Sequence, residues 1–269
     1  MPAILMKTLA LSALLSLKSA ARTHVGDPFY VFSKHLSPQP EQVCYPGDFN
    51  PNKAERYEVL REWLISRGAE VENTEAFEFT PDQFALRAKT EIKTGKQIAF
   101  IPLDCMMTAN IIEQAQIVQA LKSLGGDTYE DYYQALFVLE EMKNPESAWK
   151  PYFDILPIDT SNFPVLWNSE EFEWLRGTAV WQRTLNKRET FERVYNEIAR
   201  EVFEFGEEHS LHEFLVARLL TDSRAFKIPA DSPESEPSSA VVPWADTCNH
   251  DSDPPTRWSI ISENGRKGW

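Results

Sequence analysis

A group of side chains that can bind ligands or carry protons closes the segment VPWADTCNH, which occupies residues 242–250. The group contains Asp246, Cys248, Asn249 and His250, and an apolar run leads directly into it. In isolation these residue types indicate an ordinary turn, because Asp and Asn after a strand commonly bond their own backbone. The same types also hold polar ligands, since an Asn side chain offers an acceptor and donors at one point. The segment is therefore a candidate ligand site.

Two other kinds of chemistry are poorly supported by the sequence. A hydrolase triad is disfavoured because no Gly-x-Ser-x-Gly elbow is present. A metal site is disfavoured because His209 and His212 lack the spacing and the acidic partner of His-Glu-x-x-His. The cysteines, at positions 44, 105 and 248, are far apart and form no Cys-x-x-Cys pair of the zinc-binding kind. We therefore predict no metal centre.

The N-terminal segment, residues 1–26, has the composition of a targeting peptide. It contains three Lys or Arg residues, no Asp or Glu, and an apolar run at residues 9–17 that is too short to span a bilayer. We expect a cleavable secretory signal or an organelle transit peptide, and an ordinary first helix is the alternative. No transmembrane segment is expected.

The charge of the chain argues against a nucleic-acid partner. The 269 residues carry a net charge of −14 at pH 7, which becomes −17 without residues 1–26. A body of this charge repels phosphate backbones. Hydrophobic residues make up 42% of the sequence, which is enough for a sizeable core in one large domain or two smaller ones.

The elements upstream of the candidate site predict a mixed fold. Asn52 has the position of an N-cap before a helix that Gly68 ends. Alternating or apolar runs that predict short antiparallel strands follow at residues 77–79, 84–88 and 97–101. From residue 111 to about residue 220 the apolar period becomes helical. Ser210 with Glu213 has the pattern of a capping box inside that helical stretch.

The C-terminal elements return to β structure. A loop rich in Pro, Ser and acidic residues at 229–239 leads into strand-like residues 239–243. Residues 257–261 predict another strand, and Asn264 with Gly265 predicts a hairpin turn. Only residues 266–269 remain, so we expect no returning strand. The prediction is an α+β fold in which a large helical insert interrupts small antiparallel β structure.

Four blocks of the sequence carry a resemblance to a known family. They are FALRA with IKTGKQIAFIP (84–88 and 92–102), SAWKPYFDILP (147–157), LLTDSRAF (219–226) and VVPWADTCNH (241–250). In these blocks the chain resembles the SET-domain protein methyltransferases with a helical insert, the group of the Rubisco large-subunit lysine methyltransferase and the actin-histidine methyltransferase. The last block is the most specific, because the family's Pro-x-x-Asp-x-x-Asn-His is intact.

This resemblance implies a binding site for S-adenosylmethionine. Asn249 and His250 match the family's cofactor residues, and Phe84 and Ala85 match its cofactor strand. Arg224 matches a family arginine whose fork of donors suits the cofactor carboxylate; a surface salt bridge is the alternative for this residue. The resemblance assigns no catalytic residue here.

One departure from the family lies at the cofactor strand. The family's Gly-x-Gly is replaced by Gln83, Phe84 and Ala85. Glycine lets the backbone approach a ligand closely and adopt angles that other residues dislike. We therefore expect weaker cofactor binding than in the family.

The function that the resemblance implies is a protein-lysine N-methyltransferase acting on a protein substrate. A protein-histidine N-methyltransferase is one alternative, and a non-catalytic fragment whose acidic insert binds a basic protein is another. The Rubisco-type relatives suggest a plastid as the destination of residues 1–26. The family also has a C-terminal segment with a Gly-Glu pair and a Tyr, whereas residues 251–269 contain no Tyr. We therefore expect a C-terminally truncated chain that is inactive as written.

The resemblance also predicts how the chain is divided. The predicted parts are a targeting peptide (1–26), an irregular segment (27–52), the first SET part (53–110), the helical insert (111–227), a loop (228–239) and the start of the second SET part (240–269).

Overall fold

Three two-stranded antiparallel sheets form the β structure of this computed structural model, which describes residues 52–80, 83–125, 127–157, 161–228, 238–263 and 265–269. The pairs are β1 (Thr74–Thr80) with β2 (Gln83–Ala88), β3 (Ala225–Ile228) with β4 (Ser238–Val241), and β5 (Ile261–Glu263) with β6 (Arg266–Gly268). Helices separate the first pair from the second, so the predicted α+β class is confirmed. The predicted targeting peptide and almost all of the irregular segment lie outside the described residues.

Helix α1 (Lys53–Ser66) begins and ends where its local sequence predicts. The Asn52 side chain accepts a hydrogen bond from the Ala54 backbone N–H at 3.1 Å, which confirms the N-cap. Gly68 follows the helix with a φ of +87°, a left-handed conformation that glycine adopts without steric cost. The face of α1 that carries Tyr57, Leu60 and Leu64 is buried.

The remaining helices lie between the first and second sheets. They are α2 (Ala109–Ile112), α3 (Gln116–Ser123), α4 (Tyr133–Lys143), α5 (Lys150–Phe153), α6 (Ser169–Glu173), α7 (Ala179–Glu201), α8 (Phe203–Glu208) and α9 (Leu211–Arg224). Ser210 and Glu213 form the predicted capping box, in which each side chain bonds the other residue's backbone N–H. Helices α4 and α9 pack together, and Leu136 and Phe214 are buried on them.

Two compact units divide the chain, and residues 164–188 are the described part of the smaller one. The Arg188 side chain organises this part by donating hydrogen bonds to the backbone carbonyls of Pro164, Val165 and Trp167. Burial lowers the pKa of Arg188 to about 10. The Phe172 ring stacks on Trp181 with ring centroids 4.4 Å apart. Contacts within residues 164–188 therefore hold this described part together.

Three predictions about short strands are wrong. Residues 97–101 form no regular strand: Phe100 makes a single bridge to Glu70, and Ile101 exchanges backbone hydrogen bonds with Trp269. Residues 257–260 also lack regular structure: residues 257–259 are exposed, and none of the four pairs with a described strand. A returning strand does exist, since β6 pairs with β5 over three residues.

The size of Gly268 explains how so short a returning strand is accommodated. Gly268 forms a bridge with Pro102, and a Cβ atom built on it would lie 2.4 Å from the Ile101 carbonyl oxygen. Only a residue without a side chain permits this approach. The three strand residues and Trp269 therefore close against residues 101 and 102 rather than ending as an open hairpin.

Two histidines, His209 just before α9 and His212 within it, are expected to make the folded chain less stable in acid. Burial lowers the pKa of His209 and His212, and Lys143 lowers that of His209 further. The facing carboxylates of Glu208 and Glu213 oppose the shift without cancelling it. A folded chain that disfavours protonated histidine binds fewer protons than the unfolded chain, so stability is lost as the pH falls through about 6.5.

The test compares urea unfolding midpoints at about pH 7.5 and about pH 5.5. We expect the midpoint to fall in acid, and to fall less in His209→Gln than in the wild type. An equal fall in both proteins would assign the acid sensitivity to other groups.

Candidate functional site

The segment that carries the candidate site folds as a tight turn after β4. Three backbone hydrogen bonds define it: from the Asp246 N–H to the Val242 carbonyl (3.1 Å), from Thr247 to Trp244 (3.0 Å) and from Cys248 to Ala245 (3.0 Å). Residues Ala245–Thr247 form one short 3₁₀ turn. We call residues 244–250 the 244–250 loop.

Trp244 is held in a strained backbone conformation at the start of this loop. Its φ of +75° and ψ of −54° are rarely adopted by a residue with a side chain, and no other non-glycine residue in the described part has a positive φ. The ring is fully buried, and its Nε1 donates to the Thr74 Oγ1 at 2.9 Å. It also meets the Tyr57 ring edge to face, with centroids 6.4 Å apart. Burial of the ring therefore holds the strained turn in place.

Asp246, at the centre of the loop, points its side chain into the protein interior. Its side chain is completely buried, and its Oδ2 accepts hydrogen bonds from the Arg224 Nη1 and the Tyr152 hydroxyl, both at 2.7 Å. Burial lowers the pKa of Arg224, but the Asp246 carboxylate outweighs it, so the pKa is raised overall. Burial and the same carboxylate raise the pKa of Tyr152. The interior therefore contains a charged pair and a neutral phenol, and both Arg224 and Tyr152 hold the Asp246 carboxylate in place.

Strand β2 lies beside the same turn. Phe84 stacks on Tyr57 with ring centroids 4.7 Å apart, and Tyr57 in turn contacts Trp244. Ala85 is buried and pairs with Phe77 in β1. Because β2 contacts the turn Ala245–Thr247, the structure brings the predicted strand residues to the loop.

Gln83 does not need the backbone freedom of glycine. It stands at the start of β2 with an exposed side chain, and neither it nor Ala85 has a positive φ. The backbone part of the sequence-based concern is therefore removed at these two positions. The expectation that the Gln83 side chain weakens ligand binding stays a prediction.

The other predicted site residues differ in their exposure to solvent. Asn249 and His250 are exposed at the end of the 244–250 loop, whereas Arg224 lies beneath it. Arg224 forms a largely buried ion pair with Asp246 and not the surface salt bridge considered as its alternative. The structure thus collects all five predicted residues around one loop.

Sequence reasoning missed two residues of this site. Tyr57 links β2 to Trp244, and Tyr152 reaches Asp246 from α5. The available signal was the block SAWKPYFDILP, which contains Tyr152, although nothing local in it points to Asp246.

Polar atoms in the site are left without protein partners. Asp246 Oδ1 is buried and accepts no hydrogen bond from the described residues. Of the Arg224 nitrogens, Nη1 alone donates to a described residue. The Asp246 side chain is completely buried, so of the two it is the 20% exposed Arg224 that can offer further donors to a ligand, and a carboxylate is the group they suit.

The fold and the site define a class of protein. The chain is similar to the crystal structure of the SET domain of LSMT bound to lysine and AdoHcy, with a TM-score of 0.63 and 23% identity over 75% of this chain and 45% of that one. It is also similar to the SET domain of LSMT bound to MeLysine and AdoHcy, with a TM-score of 0.65 and 20% identity over 80% and 52% of the two chains. The chain therefore has the SET-domain fold.

Curated relatives confirm the resemblance to the SET-domain methyltransferase group. The Rubisco large subunit N-methyltransferase, chloroplastic, of Nicotiana tabacum is 23% identical over 86% of this chain and 45% of its own length. The actin-histidine N-methyltransferases of Papio anubis and Xenopus tropicalis are each 24% identical over 75% of this chain, and 35% and 36% of their own lengths. The chain thus spans less than half the length of these relatives. No model of a known protein family matches the chain.

No helix among the described residues has the length and apolar character needed to cross a membrane.

Proposed function

We propose that the protein is an S-adenosylmethionine-dependent protein N-methyltransferase that modifies a lysine side chain. The observation that carries this proposal is the 244–250 loop, which is pinned by a buried carboxylate and placed against β2. The similarity to LSMT structures bound to lysine and AdoHcy supports both the cofactor and the target. The similarity to a Rubisco large subunit N-methyltransferase supports a protein substrate.

The residues present fit the cofactor. Asn249 and His250 stand exposed at the loop end, where an amide and an imidazole are able to hold an adenine edge or a ribose. The unused donors of Arg224 suit the carboxylate of the amino-acid end. Phe84 contributes an apolar ring, stacked on Tyr57, and the adjacent Ala85 is buried in the same strand.

The bound cofactor supplies an activated methyl group, and the chain's part is to align it with a deprotonated amine. Alignment and exclusion of water are the means by which such sites accelerate transfer. The buried ion pair of Asp246 and Arg224, with the buried Trp244 ring, gives the loop the rigidity that alignment requires.

Histidine is the second candidate target. The observation in its favour is the similarity to actin-histidine N-methyltransferases, which match 75% of this chain at 24% identity, whereas the Rubisco large subunit N-methyltransferase matches 86% at 23%. The described residues contain no feature that separates the two side chains.

We propose an organelle, rather than the secretory pathway, as the destination of the protein. The chloroplastic name of the tobacco relative favours an organelle transit peptide over a secretory signal for residues 1–26.

Calorimetry with AdoHcy, followed by transfer from methyl-labelled cofactor, tests the proposed function. We expect AdoHcy to bind, and acid hydrolysis of the labelled protein substrate to release N-methylated lysine. Labelled methylhistidine would select the alternative target. Absence of AdoHcy binding would leave the protein as a non-catalytic binding module.

Asn249 is expected to contribute to AdoHcy binding. Asn249→Ala should weaken it by about 1–3 kcal/mol, because polar groups of the bound ligand lose their partner. Isothermal titration gives the affinity, and Asn144→Ala is the control, since Asn144 is an exposed asparagine that caps a turn in the helical insert. If Asn249→Ala and the wild type bind AdoHcy with equal affinity, Asn249 is an ordinary turn residue and not part of the binding site.

A further inference from the structure

Tyr152 connects the helical insert to the buried anchor of the 244–250 loop. Its hydroxyl donates to Asp246 Oδ2 at 2.7 Å, across 94 positions of sequence, and its ring is 2% exposed. The predicted site did not include this residue. Its placement ties the segment SAWKPYFDILP of the insert to the loop that bears Asn249 and His250.

The helix that carries Tyr152 is itself held firmly. Helix α5 packs against α1, and the Arg56 Nη1 of α1 donates to the Asp154 carbonyl at 2.9 Å. The Trp149 ring, at the start of α5, contacts the ring of Trp63 in α1 at a centroid distance of 5.7 Å. Tyr152 therefore approaches Asp246 from a fixed direction.

Two donors on one carboxylate oxygen determine how that carboxylate is turned. Arg224 reaches Oδ2 from the end of α9, and Tyr152 reaches the same atom from α5. One donor alone leaves the carboxylate free to rotate about its last bond, whereas two donors from different elements fix its plane. Asp246 Oδ1, by contrast, accepts no hydrogen bond from the described residues.

We propose that Tyr152 is a positioning residue, which sets the orientation of Asp246 and through it the 244–250 loop. This inference rests on the proposed function, since the loop is positioned for the cofactor. The helical insert thereby acts on the cofactor site through the Tyr152 hydrogen bond as well as through Arg224.

A matched variant separates positioning from general stabilisation. Tyr195 is also in the helical insert, and its hydroxyl also donates one hydrogen bond of 2.7 Å, to the His209 carbonyl. Tyr152→Phe and Tyr195→Phe therefore remove the same hydroxyl group and one donated hydrogen bond each, to a carboxylate in the first case and to a backbone carbonyl in the second. A purely structural role predicts similar consequences for both variants.

Hydrogen exchange followed by mass spectrometry is the first measurement, and it needs no ligand. The amides of Asp246, Thr247 and Cys248 are hydrogen-bonded within the turn and report on loop opening. We expect their exchange to be roughly 10-fold faster in Tyr152→Phe, the cost of one lost hydrogen bond, and unchanged in Tyr195→Phe. In an Asp246→Ala background, Tyr152→Phe should add little, because the acceptor of the Tyr152 hydroxyl is already absent.

The affinity for AdoHcy, measured by calorimetry, is the second measurement. We expect it to weaken roughly 10-fold in Tyr152→Phe and to be unchanged in Tyr195→Phe. Unchanged loop exchange in Tyr152→Phe, equal acceleration in both variants, or faster exchange with unaltered affinity would each overturn the proposal. If the wild type binds no AdoHcy, the proposed function has failed, and the exchange rates alone decide whether Tyr152 positions the loop.

Discussion

Asp246→Ala is expected to lower the free energy of unfolding by about 3–5 kcal/mol, because it leaves the Arg224 guanidinium buried without its counter-charge. The Asp246 side chain is fully buried and that of Arg224 is 20% exposed, so water compensates little for the loss. The Tyr152 hydroxyl loses its acceptor in the same variant. Urea unfolding followed by far-ultraviolet circular dichroism measures the effect.

Two controls identify the cause of that loss. Asp154→Ala removes an ion pair of the same 2.7 Å length to Lys150, but both side chains are exposed, so its cost should be below about 1 kcal/mol. Adding Arg224→Met to Asp246→Ala should recover part of the lost stability, because no unpaired charge is then buried. Similar losses for Asp246→Ala and Asp154→Ala would show that burial does not govern the strength of the Asp246 pair.

The local features of this fold could be predicted from sequence because neighbours along the chain produce them. Asn52 caps α1, Gly68 follows it in a left-handed conformation, and Ser210 with Glu213 caps α9. In each case the interacting groups lie within a few residues of one another. Strands β1 and β2 were also predicted from alternating residue types, although burial along the two strands does not alternate.

Whether three other short segments form strands could not be predicted in the same way. Whether residues 97–101 or 257–261 form strands depends on which segment lies beside them, and that is a tertiary property. Ile101 exchanges backbone hydrogen bonds with Trp269, whereas residues 257–259 pair with no described strand. The returning strand β6 was missed because its three residues carry no apolar alternation.

The candidate site shows the same division. Asn249, His250 and Asp246 share one segment, so a sequence motif collects them. Tyr152 and Arg224 reach the site from 94 and 22 positions away, and only packing of α5 and α9 brings them to one carboxylate oxygen. A motif gives the residue types of a site, whereas the direction from which each side chain approaches depends on the helices behind it.

The backbone conformation of Trp244 predicts that a glycine replacement is more stable than an alanine replacement, which is the reverse of the usual order. Trp244→Ala should lower the free energy of unfolding by about 3–5 kcal/mol, through loss of a fully buried ring and its hydrogen bond to Thr74. Trp244→Gly removes the same groups. In most structured positions glycine is the less stable of the two by roughly 0.5–1 kcal/mol, because it loses more backbone freedom on folding.

At residue 244 we expect glycine to be the more stable replacement. Alanine must adopt the φ of +75° that the turn requires, at a cost on the order of 1–3 kcal/mol, whereas glycine adopts it freely. We therefore expect Trp244→Gly to be more stable than Trp244→Ala by about 1 kcal/mol in urea unfolding. Leu60→Ala and Leu60→Gly are the control pair, since Leu60 is fully buried inside α1, where alanine is favoured. If alanine is the more stable replacement at both positions, the backbone of Trp244 is not strained, and the ring alone determines the shape of the turn.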